Sequence, residues 1–125
     1  MENIKTEVKI HETTIHLSNN LITIKAIGGY DKEQAMEIRE VIKGIFNEAR
    51  EDINILVDLN RAGKISSEAR EIFRMLSENH KVRKIACSGM HVMARVIAGF
   101  VLKISKHGKY RFFSSNEEAL KWLNA

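Results

Sequence analysis

Two adjacent hydroxyls, Ser66 and Ser67, followed by Glu68, are the residues best placed for chemistry. They stand just beyond a core-like apolar run and just before an amphipathic one. A phosphoryl group on either serine would be stabilised by the N–H groups of a helix start, and it would disrupt an apolar contact made there. The competing use is capping, because serine is among the preferred N-cap residues. Glu68 complements the positive end of the helix dipole. Asp58 and Asn60 precede this junction, and Asp31 stands at an earlier helix start. At the next strand end, Ser88-Gly89-Met90-His91, together with Asn60 and Ser114-Ser115, can line a small-anion or ligand pocket, or can simply be a turn and a cap. His91 is the best-placed histidine, but no partner follows from spacing; His11, His16, His80 and His107 are scattered. No His/Cys spacing suggests a metal site, so neither metal nor cofactor is expected. Cys87 reads as a small buried hydrophobe. With no acid/base or nucleophile–base pair, the sequence predicts no catalytic residue and no enzyme.

The elements that must position these groups follow from periodicity. Ile53, Ile55, Leu56, Val57 and Leu59 form a nearly continuous, β-branched run, suited to a strand buried on both faces. Asp58 marks where it leaves the core, and Asn60-Arg61-Ala62-Gly63-Lys64 reads as a loop with Gly63 free to take a positive φ. Ala69, Ile72, Phe73 and Leu76 fall at helical spacing and predict the next helix. Upstream, Lys5–His11, Thr14–Leu17 and Leu21–Ile27 alternate as strands, with Ser18-Asn19-Asn20 as a turn and Gly28-Gly29 ending the third. Asp31 with Gln34 forms a capping box for a helix running to Arg50. Downstream come a strand over Lys81–Ser88, a third helix with a wide apolar face over Val92–Ile104, a strand over Lys109–Phe113 and a final helix capped by Ser115 and Glu118. Alternating strands and helices predict an α/β fold: a mixed sheet of about five or six strands, antiparallel at its start, with about four helices.

One domain spanning residues 1–125 is expected at this length. The N-terminus has no apolar signal core, no segment is long enough to span a bilayer, and a single cysteine fits a reducing compartment, so a cytoplasmic location is expected. The first 62 residues carry eight Lys/Arg and eleven Asp/Glu, and the remaining 63 carry twelve and five, so the halves are −3 and +7. No acid lies between Glu78 and Glu117, an interval holding Lys81, Arg83, Lys84, Arg95, Lys103 and Lys106. Such a stretch is either a basic surface for an anionic partner or a set of solvated lysines. Without interleaved aromatics or a known motif, it argues against nucleic acid.

The order of elements resembles the STAS domain, the fold of bacterial anti-sigma-factor antagonists. Ile27-Gly28-Gly29-Tyr30-Asp31 leading into Ala35-Met36-Glu37-Ile38-Arg39-Glu40 looks like that family's strand, glycine and acidic-capped first helix. Ile55-Leu56-Val57-Asp58-Leu59 followed at a distance by Ser66-Ser67 looks like its central strand and phosphorylatable Asp-Ser-Ser-Gly turn. Arg111-Phe112-Phe113 and Glu117-Glu118-Ala119-Leu120-Lys121-Trp122-Leu123 are similar to the ending of the stage-II-sporulation-AA-like, or STAS/CRAL-TRIO, branch. One departure stands out. Aligned without gaps, Ser67 falls on the first serine of that turn and Glu68 on the second, the usual phosphoacceptor. A glutamate there cannot be phosphorylated and is a permanent partial mimic.

The resemblance implies a non-enzymatic regulatory or protein-interaction module. Its recognition surface would be the Asn60–Ala69 loop–helix junction, its partner a kinase or anti-sigma-like regulator, and its state a homodimer. The alternative it implies is a small apolar-ligand or lipid carrier or sensor of CRAL-TRIO type, its cavity bordered by Met93, Ile97 and Phe100. A membrane-surface contact by the third helix, through Arg95, Lys103 and Lys106, is a further option.

Overall fold

The computed structural model describes residues 5–89 and 109–125. The chain opens as an antiparallel meander of β1 (Lys5–Ile10), β2 (Thr13–Ser18) and β3 (Leu21–Tyr30). Its tight turns use two left-handed residues, His11 at φ 56° and Asn19 at φ 57°, the second inside the turn the sequence predicts. Ile15 pairs with Ile24, two residues along from the Leu17–Ile22 pair, so apolar cross-strand pairs line one face of the meander.

Helix α1 (Lys32–Glu48) follows at once. Both bonds of the capping box form: the Gln34 N–H donates to Asp31 Oδ1 at 2.9 Å, and the Asp31 N–H donates to Gln34 Oε1 at 3.0 Å. Ala35, Ile38, Ile42 and Phe46 recur every three or four residues and form its buried stripe. Then come β4 (Ile53–Ile65), α2 (Ser67–Ser77), β5 (Val82–Ser88), β6 (Tyr110–Phe113) and α3 (Asn116–Leu123). The expected helix over Val92–Ile104 lies outside the described residues.

The six strands lie in sequence order, β1 to β6, with β3, β4, β5 and β6 mutually parallel. A right-handed crossover that always steps to the next strand leaves its helices on one face, which is where α1 and α2 pack. Ile53, Ile55 and Leu59 of β4 join their core, with Ile85 and Cys87 of β5. No strand follows β6, so α3 folds back onto the other face, where Ala119 and Leu123 meet Leu56 and Ala86. The first part of β4 is thus buried on both sides, as its unbroken apolar run requires.

Two expectations are corrected here. Asn60–Lys64 is strand, not loop: β4 runs thirteen residues to Ile65. Local composition reads as loop, but β3 supplies a partner, pairing Ile27 with Arg61, Gly28 with Ala62 and Tyr30 with Ile65. Nor does β3 stop at Gly28-Gly29. The glycines serve close approach: a Cβ at Gly29 would sit 2.8 Å from the Lys64 carbonyl oxygen, and one at Gly63 would sit 3.1 Å from the Gly29 nitrogen. Gly63 does not take a positive φ; among the described residues the glycines that do are Gly28 and Gly89.

Candidate functional site

The residues singled out by sequence fall into two groups, separated along β4. Ladder register sets the first. Because Tyr30 pairs with Ile65, the residues that follow them are brought side by side, and the Ser66 N–H donates to the Tyr30 carbonyl at 3.0 Å. Asp31 caps α1 there, and Ser66 caps α2, its Oγ accepting the Ala69 N–H at 3.1 Å. The capping role therefore belongs to Ser66. Ser67 is the first helical residue, and both it and Glu68 are exposed. Ser66→Ala should cost about 1 kcal/mol in chemical denaturation, while Ser67→Ala should stay within about 0.5 kcal/mol of wild type. Equal effects at the two positions would contradict this assignment.

The second group sits where β4 and β5 last pair, at Asp58 and Ser88. Asp58 Oδ1 accepts the Asn60 N–H at 3.0 Å and the Asn60 side-chain amide at 2.9 Å. Its Oδ2 accepts from the Asn116 amide at 3.2 Å, and Asn116 Oδ1 in turn accepts the Ser88 hydroxyl. Ser88 is wholly buried. Gly89, at φ 117°, turns against Asn60, and its N–H donates to the Phe113 carbonyl at 3.2 Å. The group thus ties together β4, β5, the end of β6 and the first turn of α3. Asn116 was missed in the sequence because nothing but its position after the Ser115 cap marks it; only the fold brings α3 over Asp58. Residues eight positions apart on a strand lie on the order of 25 Å apart, so this knot does not share a site with Ser66.

Chemically the knot is saturated. Asp58 is half-buried, and burial pushes its carboxyl upward. The Asn60 N–H, the Asn116 and Asn60 amides and the charge of Lys25 outweigh that and hold it below the ordinary carboxylate range. A carboxyl lowered in the folded state adds stability above its unfolded pKa and loses it as pH falls through the folded value. Acid unfolding should therefore steepen below about pH 4, and Asp58→Ala should cost about 1–2 kcal/mol at neutral pH and flatten that limb. An unchanged acid limb in a urea titration from pH 2 to 7 would remove Asp58 from the network's energetics. Among the described residues Ser88 has no base beside it, and its hydroxyl is spent on Asn116, so nothing described in the knot activates a nucleophile. Cys87 is buried and its thiol is pushed up to about 12 by burial, which leaves it inert as a nucleophile.

Three cations in the described part of the basic interval are used internally. Lys81 Nζ donates to the Ala49 carbonyl at the end of α1. Arg83 reaches the carbonyls of Leu123 and Ala125, each at 3.3 Å, and Lys84 reaches that of Trp122 at 2.9 Å while lying 5.0 Å from the Trp122 ring centroid. Cations at the negative ends of helix dipoles are stabilising there, and these three act as C-terminal caps more than as a free basic surface. Asn54, buried, adds its amide to Leu123 O at 3.1 Å, while its own oxygen has no partner among the described residues. His91, Arg95, Lys103 and Lys106 lie outside the described residues, as do Met93, Ile97 and Phe100. Among the described residues no group of His, Cys, Asp and Glu is arranged to hold a metal, and no helix is long and apolar enough to cross a membrane.

One feature was not legible in the sequence. Between the sheet and the α1–α2 layer lies a cavity of about 120 Å³, walled by Ile24, Val57, Leu59, Ile65, Phe73 and Leu76 among others. Ile24, Val57, Ile65 and Phe73 are only half-buried although they point into the core layer. A hollow and a packed core have the same apolar periodicity, so the pattern cannot tell them apart.

Comparison with known proteins now bears on this geometry. No curated protein matches the chain. Among solved structures, the chain is similar to an uncharacterised DUF3478-family protein with a SpoIIAA-like fold from Shewanella loihica PV-4, at 16% identity and TM-score 0.65, covering 97% of this chain and 93% of that one. It is also similar to the anti-sigma factor antagonist SpoIIAA in its unphosphorylated form, at 15% identity and TM-score 0.60, covering 98% and 99%. At these identities the likeness establishes the fold. A family model described as SpoIIAA-like matches residues 21–124, from the start of β3 through α3. On that match over most of its length, and with the STAS-type sheet and helix order just described, the chain belongs to the SpoIIAA-like family.

Proposed function

We propose that this protein is a non-enzymatic regulatory module of the STAS type that binds a protein partner at the start of α2. The observation that carries the reading is the β3–β4 ribbon. It runs past the Asp58–Ser88 pair and delivers exposed Ser67 and Glu68 beside Asp31, while the adjoining Ser66 is occupied as a cap. Two helix starts and their acids on one rigid ribbon make a recognition surface with defined charge. Glu68 stands where a phosphoacceptor would be, so the surface is permanently anionic at that point and Ser67 is the hydroxyl left for a kinase. The likeness to an anti-sigma factor antagonist supports a protein partner, a kinase or anti-sigma-like regulator. The saturated Asp58 knot and the inert Cys87 support a binding role over catalysis, and a cytoplasmic setting fits the same reading.

The test is a quantitative capture from native extract with wild type and with Ser67→Lys/Glu68→Lys. A partner retained by wild type should be lost about tenfold or more by the double variant, as expected for like-charge juxtaposition at an interface. Equal retention by both would exclude this surface.

A second reading, a carrier or sensor of a small apolar ligand, is favoured by one observation, the cavity between the sheet and the α1–α2 layer. An apolar pocket of defined shape is the usual form of a small-molecule site.

A further inference from the structure

We infer that the cavity takes a small monocarboxylate, with an apolar body of about six carbons inside and its acid on the guanidinium of Arg70, an inference that rests on the second reading above. Size comes first. A cavity of about 150 Å³ lined by Leu, Ile and Phe holds a benzene molecule. The present one, at about 120 Å³, therefore fits a body of that order and not a full lipid chain.

Charge comes second. Among the described residues, Arg70 is the only charged one on the cavity wall, and it is half-buried. An arginine on an apolar wall lays its methylene stem along it and holds its head at the rim. Its neighbours on α2 do not neutralise it. Glu71 is held by Arg74 through two bonds of 2.6 and 2.8 Å, and Glu78 is held by the same arginine at 2.6 Å. Arg74 thus takes both acids, and Arg70 has no ion pair among the described residues. A half-buried guanidinium without a counter-charge is poorly compensated and favours an anion brought by a ligand.

The choice of anion follows from the count of cations. One guanidinium offers a two-pronged fork that matches a single carboxylate. Among the described residues no second cation on the wall supports a dianion such as a phosphate monoester. The amide N–H of Arg70 is bonded to the Ser66 carbonyl at 3.0 Å, so the backbone that carries the fork is fixed by the first turn of α2.

The experiment is an NMR titration of the full chain, isotope-labelled, with sodium hexanoate and with 1-hexanol. Wild type should show shifts at Ile24, Val57 and Phe73 with both, and hexanoate should bind about fivefold or more tightly than the alcohol. Arg70→Gln should bring hexanoate down to the alcohol's affinity and leave the alcohol unchanged, and Arg70→Lys should recover part of the difference. Ile65→Phe and Val57→Phe, at two half-buried positions of the wall, should each weaken both ligands. A dispersed spectrum certifies the fold of each variant, so either one suffices. Equal affinity for acid and alcohol, unaltered by Arg70→Gln, would overturn the carboxylate inference while the apolar-ligand reading stands. No shift with either ligand would overturn that reading itself. Dodecanoate binding far more tightly than hexanoate would overturn the size limit.

Discussion

Replacing Phe46 with alanine should lower the unfolding free energy by about 3–5 kcal/mol, the largest loss expected from any single truncation here. Phe46 is 2% exposed, the bulkiest of the fully buried side chains, and it ends the α1 stripe that presses on the sheet. The loss combines the transfer free energy of the ring with a new void, and the void term is large because the surroundings relax only in part. Domains of this size are stable by about 5–15 kcal/mol, which makes the change a large fraction of the whole. Trp122 gives a clean readout from the opposite face. It belongs to α3 and packs on Phe113 with ring centroids 5.8 Å apart, on the face of the sheet opposite α1. Urea unfolding followed by its fluorescence and by far-ultraviolet circular dichroism should give one coincident shift, because a sheet shared by both layers couples them. A loss under about 1 kcal/mol, or two separate transitions, would contradict a single core spanning the sheet.

Gly89→Ala should cost about 2–4 kcal/mol, for two reasons that add. The residue adopts φ 117°, which L side chains rarely reach. A Cβ there would also stand 3.0 Å from the Asn60 nitrogen and 3.1 Å from the Leu59 carbonyl carbon, both backbone atoms of the central strand. Backbone in a paired strand cannot step aside as a flexible side chain can, so relief must come from shifting Asn60, which unseats its two bonds to Asp58. Gly28 is the control: its φ is 79°, but a Cβ there meets nothing within 4 Å. Gly28→Ala should therefore show the conformational cost alone, about 1 kcal/mol. Thermal unfolding of both variants separates the terms. The Gly89 variant should also lose the acid-dependent part of stability that Asp58 contributes. Equal destabilisation by the two substitutions would mean that the contact with Asn60 is unimportant.

The sequence carried the local rules well and the pairing rules poorly. Asp31 with Gln34 was legible as a capping box because both partners lie within one turn. The cap at Ser66 or Ser67 was legible as a pair, and only the bond that the Ser66 N–H donates to the Tyr30 carbonyl fixes the chain so that Ser66 takes it. Asn60–Lys64 was misread because loop-like residues become strand when a partner lies alongside. Here that partner is Ile27–Tyr30, whose glycines let the backbones close. Lys81, Arg83 and Lys84 read as a basic surface because a sequence counts charges without showing the helix ends that they meet.

By itself, the sequence determined the α/β class, the helix starts, the buried stripe of α1, the apolar but only half-buried stripe of α2, and the β4 segment apolar on both faces. Each of these is written in residues a few positions apart, within reach of one turn or one pleat. The tertiary structure alone decided how far β4 extends, that Asn116 completes the Asp58 knot, that three cations cap helices, and that the layer above Val57 is hollow. Those depend on contacts between distant segments and on the volume left between them, and no local period encodes either quantity.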